Sequence, residues 1–210
     1  MKKILVSDYD RTFYLNKEGI KKNIEAVEKF RKNGNLFVIA TGRSFLDFKK
    51  KQYKYHFDYD YVILNHGATI LDRKGHILDN NVINNEVVLD IKKDVQDIKT
   101  KKQFCCSAKE SRVDFLFGNI TKIYLEYESQ NITTMVNEMI NNKYGEYVNS
   151  YDAGWNIVET ISSKCDKKTA ILKIANKEGI SKNEIYTIGD GNSDFSMIKE
   201  FNGFCMEIVS

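Results

Sequence analysis

Two aspartates spaced by one residue, Asp8 and Asp10, follow a short apolar run from Ile4 to Ser7, and a second acidic pair, Asp190 and Asp194, follows another such run, Ile185 to Ile188. Carboxylates gathered in one place repel each other unless a hard cation sits among them, and all-oxygen ligation suits magnesium. A metal-neutralised carboxylate can attack phosphorus, and a second carboxylate nearby can protonate the leaving oxygen and later deprotonate water. These roles are expected of Asp8 and Asp10. Two further clusters supply what an incoming phosphate needs. Thr41-Gly42-Arg43-Ser44 follows the apolar run Leu36 to Ala40, offering a hydroxyl and helix-start N–H groups, and Lys167 opens an apolar helical stretch as a compact positive charge.

Each cluster alone has an ordinary explanation. Aspartate after a strand is common turn chemistry, Thr-Gly starts many helices, and a single lysine is usually on the surface. What departs from the ordinary is that all four occur at expected strand ends or helix starts. In open parallel sheets the carboxyl ends of the strands border one crevice, so residues far apart in sequence converge there.

The elements that would position them can be read from hydrophobic periodicity. Ile4 to Ser7, Leu36 to Ala40 and Tyr61 to Leu64 read as buried strands. Between the first two, Ile20, Ile24, Val27 and Phe30 fall at helical spacing, with Asn33-Gly34 as a stop. Such alternation implies a parallel sheet covered on both faces. From about Asp79 the pattern changes. Helical stretches around Glu86 to Lys99 and Ile132 to Asn142 alternate with β-rich pieces around Phe104, Val113 to Phe117, Lys122 to Tyr127, Glu146 to Tyr151 and Trp155 to Ile161. Two strands after each helix are expected there, in a small α+β insert with its helices on one face. Ala170, Ile171, Ile174 and Ala175 then form a helical stripe stopped by Gly179. The expected organisation is a Rossmann-like α/β core, residues 1–80 and 160–210, interrupted by an α+β cap, residues 81–159.

The chain resembles the haloacid dehalogenase superfamily, specifically its Cof-like IIB phosphatases, over nearly its whole length. Motif one of that family, Asp-x-Asp-x-Thr, matches Asp8 to Thr12; motif two matches Thr41 in Ala40-Thr41-Gly42-Arg43. The motif-three lysine matches Lys167, and motif four matches Gly189 to Asp194. The resemblance implies Asp8 as nucleophile, Asp10 as acid/base, and Asp8, the Asp10 carbonyl and Asp190 as magnesium ligands supported by Asp194. Phosphate binding is expected at Thr41, Gly42, Arg43, Lys167 and Asn192. A IIB cap lies between motifs two and three and closes over the crevice, and Asn65-His66-Gly67-Ala68 is similar to the Asn-Gly-Ala turn before such caps, with His66 at the Asn position, where it is either a structural turn histidine or faces substrate. Three features depart from the pattern. Arg11 replaces a glycine, where it would attract the substrate's anion or pair with a cap carboxylate; Ser193 stands where Asn is common; and the chain ends early after motif four, with Phe204 to Val209 as a last strand.

The implied activity is magnesium-dependent hydrolysis of a small phosphate monoester, a sugar phosphate or similar metabolite, through an aspartyl-phosphate. A phosphomutase or phosphotransferase, or a non-catalytic ligand-binding relative, remains an alternative. Bulk properties agree with a small-molecule partner. Thirty-two Lys and Arg against 29 Asp and Glu leave a net charge of +3, spread along the chain, which points away from nucleic acid and membrane surfaces. Cys105, Cys106, Cys165 and Cys205 lack metal-site spacing and are expected as reduced thiols. The apolar run after Lys2-Lys3 is too short for a signal peptide, and no stretch approaches a membrane span, so a cytoplasmic location is expected. With no proline, turns must rest on Gly, Asn and Asp. Oligomeric state is not readable.

Overall fold

The structure is a computed structural model, described over residues 1–206. Chain contacts divide it into two compact units, one made of residues 1–43, 48–79 and 166 onward, the other of residues 44–47 and 80–165.

The first unit carries a seven-stranded sheet. Its central strands are β1 (Ile4–Ser7), β2 (Leu36–Ala40), β3 (Tyr61–Leu64) and β11 (Ile185–Gly189). β1 lies between β11 and β2, all parallel, with Ser7 level with both Ile39 and Ile188, and β3 continues the parallel run beside β2. Along each strand successive residues face opposite sides. One face, with Ile4, Val6, Val38, Ala40, Ile63 and Ile185, packs against Ala170, Ile171, Ile174 and Ala175 of helix α5 (Lys167–Glu178) and Met197 of α6 (Phe195–Glu200). On the other face Phe37 meets Phe13, which with Tyr9, Phe57 and Phe48 of α2 (Phe45–Tyr55) forms an aromatic cluster. Both faces are therefore covered, as a parallel sheet requires. α1 (Lys17–Lys32) starts where the Asn16 side chain accepts the Glu18 and Gly19 N–H groups.

Beyond β3 the sheet departs from the expected layout. β4 (Thr69–Asp72) turns back antiparallel to β3, and β5 (Ile77–Asn80) forms the edge, so the stretch expected to lead into the insert completes the core sheet. The opposite edge is β12 (Asn202–Cys205), parallel to β11. The expected final strand from Phe204 thus begins two residues earlier, and its last residues, 207–209, lie outside the described residues.

The second unit is a five-stranded antiparallel sheet in the order β7-β6-β8-β10-β9. Its strands are β6 (Lys102–Cys106), β7 (Ser111–Val113), β8 (Lys122–Glu126), β9 (Val148–Asp152) and β10 (Ile157–Ser162). α3 (Asn85–Val95) and α4 (Gln130–Tyr144) pack on one face, burying Val88, Ile91, Val136 and Ile140 against Ile123, Leu125 and Val158. Three strands, not two, follow α3. The expected strand from Val113 to Phe117 stops at Val113, because the Asp114 side chain accepts the Leu116 N–H and turns the chain. β10 runs to Ser162 and the unit closes at Cys165, six residues beyond the expected seam, since the strand stays paired with β9 from Val158 through Ser162.

Candidate active site

β1, β2 and β11 end level with one another, which brings the clusters of residues 8–12, 41–43 and 190–194 to the carboxyl ends of neighbouring strands. The Asp8 backbone is pinned there, its N–H donating to the Ile188 carbonyl at 2.9 Å and its carbonyl accepting from Phe13 N–H at 3.1 Å. The side chains of Asp8, Asp190 and Asp194 each present an oxygen within 4.8 Å of the others.

Lys167 ties this cluster together. It is the first residue of α5, whose start is fixed by a reciprocal cap: the Asp166 carboxylate accepts the Thr169 N–H at 2.7 Å and the Thr169 hydroxyl accepts the Asp166 N–H at 2.9 Å. So anchored, the Lys167 side chain is wholly buried, and Nζ donates to Asp8 Oδ1 at 2.6 Å and Asp194 Oδ1 at 2.5 Å. Burial pushes the Asp8 carboxyl up to about 6, with Lys167 pulling it down and Asp194 pushing it up. Burial alone would depress the Lys167 ammonium, but Asp8 and Asp194 outweigh it and hold it above the usual lysine range.

Asp194 is a support as much as a ligand. Its Oδ2 accepts the N–H groups of Asp190 and Gly191 at 3.1 and 3.0 Å, fixing the loop that carries Asp190. That closeness requires glycine at 189, where a Cβ would fall 2.5 Å from the Asp194 Cβ. Asp190 is held from the motif-one loop: Thr12 Oγ1 donates to Oδ1 at 2.9 Å, and Arg11 Nε lies 3.0 Å from Oδ2. This Asp190 Oδ2 atom is buried and accepts no hydrogen bond of good geometry from the described residues. Arg11, expected to attract a substrate anion or pair with a cap carboxylate, here forms an ion pair with Asp190, from a left-handed backbone position with φ 60.

Asp10 is not part of the three-carboxylate cluster. Its two oxygens accept a forked pair of bonds from Arg43, Nε at 2.7 Å and Nη2 at 2.6 Å, while the same guanidinium lies over the Tyr9 ring. Arg43, expected to bind phosphate, is therefore engaged with the residue expected as acid/base. Thr41 is buried, and its hydroxyl oxygen accepts the Arg43 N–H at 3.1 Å. The segment of residues 41–44 precedes α2 rather than opening it, so the N–H groups expected from a helix start are not those of α2. His66, expected either as a structural turn histidine or to face substrate, is buried with its ring so close to Gly42 that a Cβ there would fall 2.3 Å from Cε1. Asn192 is exposed, at the start of the short helical turn Asn192–Asp194. Sequence reasoning missed the Thr12 link to Asp190, the Arg43 link to Asp10 and the Arg11 pairing.

All-oxygen donors, a buried carboxylate oxygen that accepts no well-directed hydrogen bond, and three carboxylates against Lys167 and the exposed Arg11 fit a hard divalent cation. No helix of the described residues is long and apolar enough to cross a membrane.

Comparison with known proteins bears on the family and the fold. A provisionally named phosphatase of Buchnera aphidicola is 23% identical over 98% of this chain and 84% of its own length. Among solved structures, a provisionally named HAD/COF-like hydrolase from Plasmodium vivax superposes with a TM-score of 0.82 at 18% identity, over 97% of this chain and 84% of that one. BT1666 of Bacteroides thetaiotaomicron, studied among the phosphatases of the superfamily, superposes with a TM-score of 0.80 at 19% identity, over 100% of this chain and 85% of that one. The sequence profile of the haloacid dehalogenase-like hydrolases matches residues 5–113 and 93–208. On that match the chain belongs to the haloacid dehalogenase-like hydrolase family, and its fold is that of the Cof-like members.

Proposed function

We propose that the chain is a magnesium-dependent phosphatase that hydrolyses a small phosphate monoester, such as a sugar phosphate, through an aspartyl-phosphate on Asp8. The observation that carries this reading is the buried Lys167 ammonium bridging Asp8 and Asp194, with Asp190 completing the carboxylate cluster. An ammonium so placed can neutralise both a nucleophilic carboxylate and an arriving phosphate.

Asp8, Asp190 and the Asp10 carbonyl would hold magnesium, with Asp194 behind them; the ion would supply charge neutralisation for the carboxylates and the transferring group. An Asp8 oxygen attacks phosphorus while the bond from phosphorus to the ester oxygen breaks, and Asp10, once one of its oxygens has left Arg43 and taken up a proton, gives that proton to the ester oxygen. Asp10, now a carboxylate, takes a proton from water, whose oxygen attacks phosphorus. The bond to Asp8 breaks, releasing phosphate and restoring the carboxylate. Lys167 stays bound to Asp8 throughout. Thr41 offers its hydroxyl hydrogen to a phosphate oxygen, since its lone pair already serves Arg43 N–H.

The test is phosphate release from a panel of phosphorylated metabolites in magnesium and in excess chelator. Magnesium-dependent free phosphate supports the reading. Phosphate appearing on a second sugar faster than in solution would make the enzyme a phosphotransferase, and binding without release would make it a ligand-binding relative.

A further inference from the structure

The motif-one loop places a second cation at the carboxylate cluster. Lys167 approaches Asp8 and Asp194 from inside and is wholly buried. Arg11 approaches Asp190 from outside, its Nε 3.0 Å from Oδ2, with the Arg11 side chain 65% exposed and that of Asp190 3% exposed. Opposite it, Thr12 occupies the other oxygen, Oδ1, through a hydroxyl bond at 2.9 Å. The Oδ2 atom beside Arg11 is the one without a well-directed hydrogen bond, so the guanidinium acts there by charge and proximity rather than by a fixed donor.

The backbone at Arg11 makes the placement unusual. A φ of 60 is a conformation that residues with a Cβ rarely adopt. It is locked by neighbouring bonds, Arg11 N–H to the Tyr14 carbonyl at 3.0 Å and Tyr14 N–H to the Tyr9 carbonyl at 2.8 Å. The side chain, by contrast, is long and mostly in solvent. Moving it away from Asp190 needs no change in the loop.

We propose that Arg11 is an internal counter-cation of the carboxylate cluster, which leaves Asp190 Oδ2 for solvent when a divalent cation takes that atom and thereby sets the affinity of the site for the cation. The proposal rests on the phosphatase reading of the same site. Its physics is competition. With no divalent cation bound, the guanidinium offsets part of the repulsion among Asp8, Asp190 and Asp194. A divalent cation must displace it and then tolerate a nearby positive charge, and both effects lower affinity.

Magnesium binding to metal-free protein, measured by titration calorimetry at low ionic strength, tests this in Arg11→Gln, Arg11→Gly and Arg11→Lys. Arg11→Gln removes the charge, and Arg11→Gly removes it while relaxing the backbone, so the fold is safe in at least one variant. Each is expected to bind magnesium about two- to fivefold more tightly than the wild type, the size expected for losing one solvent-facing charge contact, with the difference shrinking as salt rises. Arg11→Lys should stay near the wild type. In chelator the Arg11→Gln variant should melt below the wild type, and in saturating magnesium the gap should close. Equal or weaker magnesium binding by both neutral variants overturns the proposal, as would a raised KM for substrate with unchanged magnesium affinity, which would make Arg11 a substrate contact. Asp190→Asn separates the two readings. If the wild type binds magnesium, Asp190→Asn does not, and the neutral Arg11 variants match the wild type, only the Arg11 proposal fails. If the wild type neither binds magnesium nor releases phosphate, the phosphatase reading fails and this proposal with it.

Discussion

Thr12 Oγ1 donates to Asp190 Oδ1 at 2.9 Å, joining the first strand-end loop to the last across 178 positions of sequence. The bond is the reason that a threonine two residues after Asp10 matters although it carries no charge. Thr12→Val keeps the shape and deletes the donor. Stability should fall by about 1–2 kcal/mol, the usual cost of a lost bond to a buried carboxylate, and magnesium should bind less tightly because Asp190 loses its orientation. Chemical denaturation and calorimetric titration measure the two effects; unchanged magnesium affinity would show that Asp190 is oriented by its own loop alone.

Lys167→Met should abolish turnover and also destabilise the metal-free fold. The substitution leaves Asp8 and Asp194 facing each other in a buried place, a loss of roughly 3 kcal/mol for breaking one partner out of a buried ion pair. The pH dependence has a definite sign. Without the ammonium the Asp8 carboxyl, already raised by burial, favours its neutral form still more, so the deficit should be large above neutrality and shrink in acid, where Asp8 is protonated. A deficit equal at all pH values would mean that lost packing, not lost charge, explains it. Lys168→Ala, one residue on, should have no such effect.

Burial raises the Asp8 carboxyl to about 6 in the metal-free protein. A native value above the usual aspartate range means that Asp8 favours folding in its neutral form, a contribution fully present below its unfolded value of 3.8 and lost as pH rises through about 6. Magnesium binds the charged form. Its apparent affinity should therefore fall as pH drops below about 6, with proton release on binding that vanishes well above that pH. Calorimetry in buffers of different ionisation enthalpy reads the proton count directly. No proton release at any pH would place the ion away from Asp8.

Arg43 holds Asp10 by both oxygens, and Arg43→Met should free that carboxylate to adopt other rotamers. Turnover of alkyl phosphates, whose leaving oxygen must be protonated, should fall by about tenfold or more, within the range that a positioned acid contributes. Aryl phosphates with good leaving groups should be affected much less. Equal loss on both substrate types would assign Arg43 to phosphate binding, as its place in the sequence suggests.

Much of this arrangement was legible in the sequence, for a physical reason. β2 and β3 are continuous apolar runs buried on both faces, so their limits coincide with the limits of hydrophobicity. The convergence of Asp8, Lys167, Asp190 and Asp194 follows from where parallel strands end. β5 was hidden because it is an edge strand with Ile77 and Leu78 exposed, so its residues show no buried face to read. β7 was misread because Leu116 and Phe117 look like strand residues yet stand exposed in a turn. The side-chain pairings could not be read either. Arg11 and Arg43 are both cations beside expected site residues, and nothing in residue type or spacing says that one turns to Asp190 and the other to Asp10.

The most direct measurement is the mass of the peptide containing Asp8 after rapid acid quench of the enzyme with magnesium and an aryl phosphate. Asp10→Asn is the form to use, because the aryl group departs without a proton while attack of water on the aspartyl-phosphate is slowed. The account predicts one added phosphoryl group, located on Asp8, in Asp10→Asn, and none in Asp8→Asn, which should also lack turnover. A phosphoryl group on any other residue, or turnover retained in Asp8→Asn, would contradict the covalent mechanism.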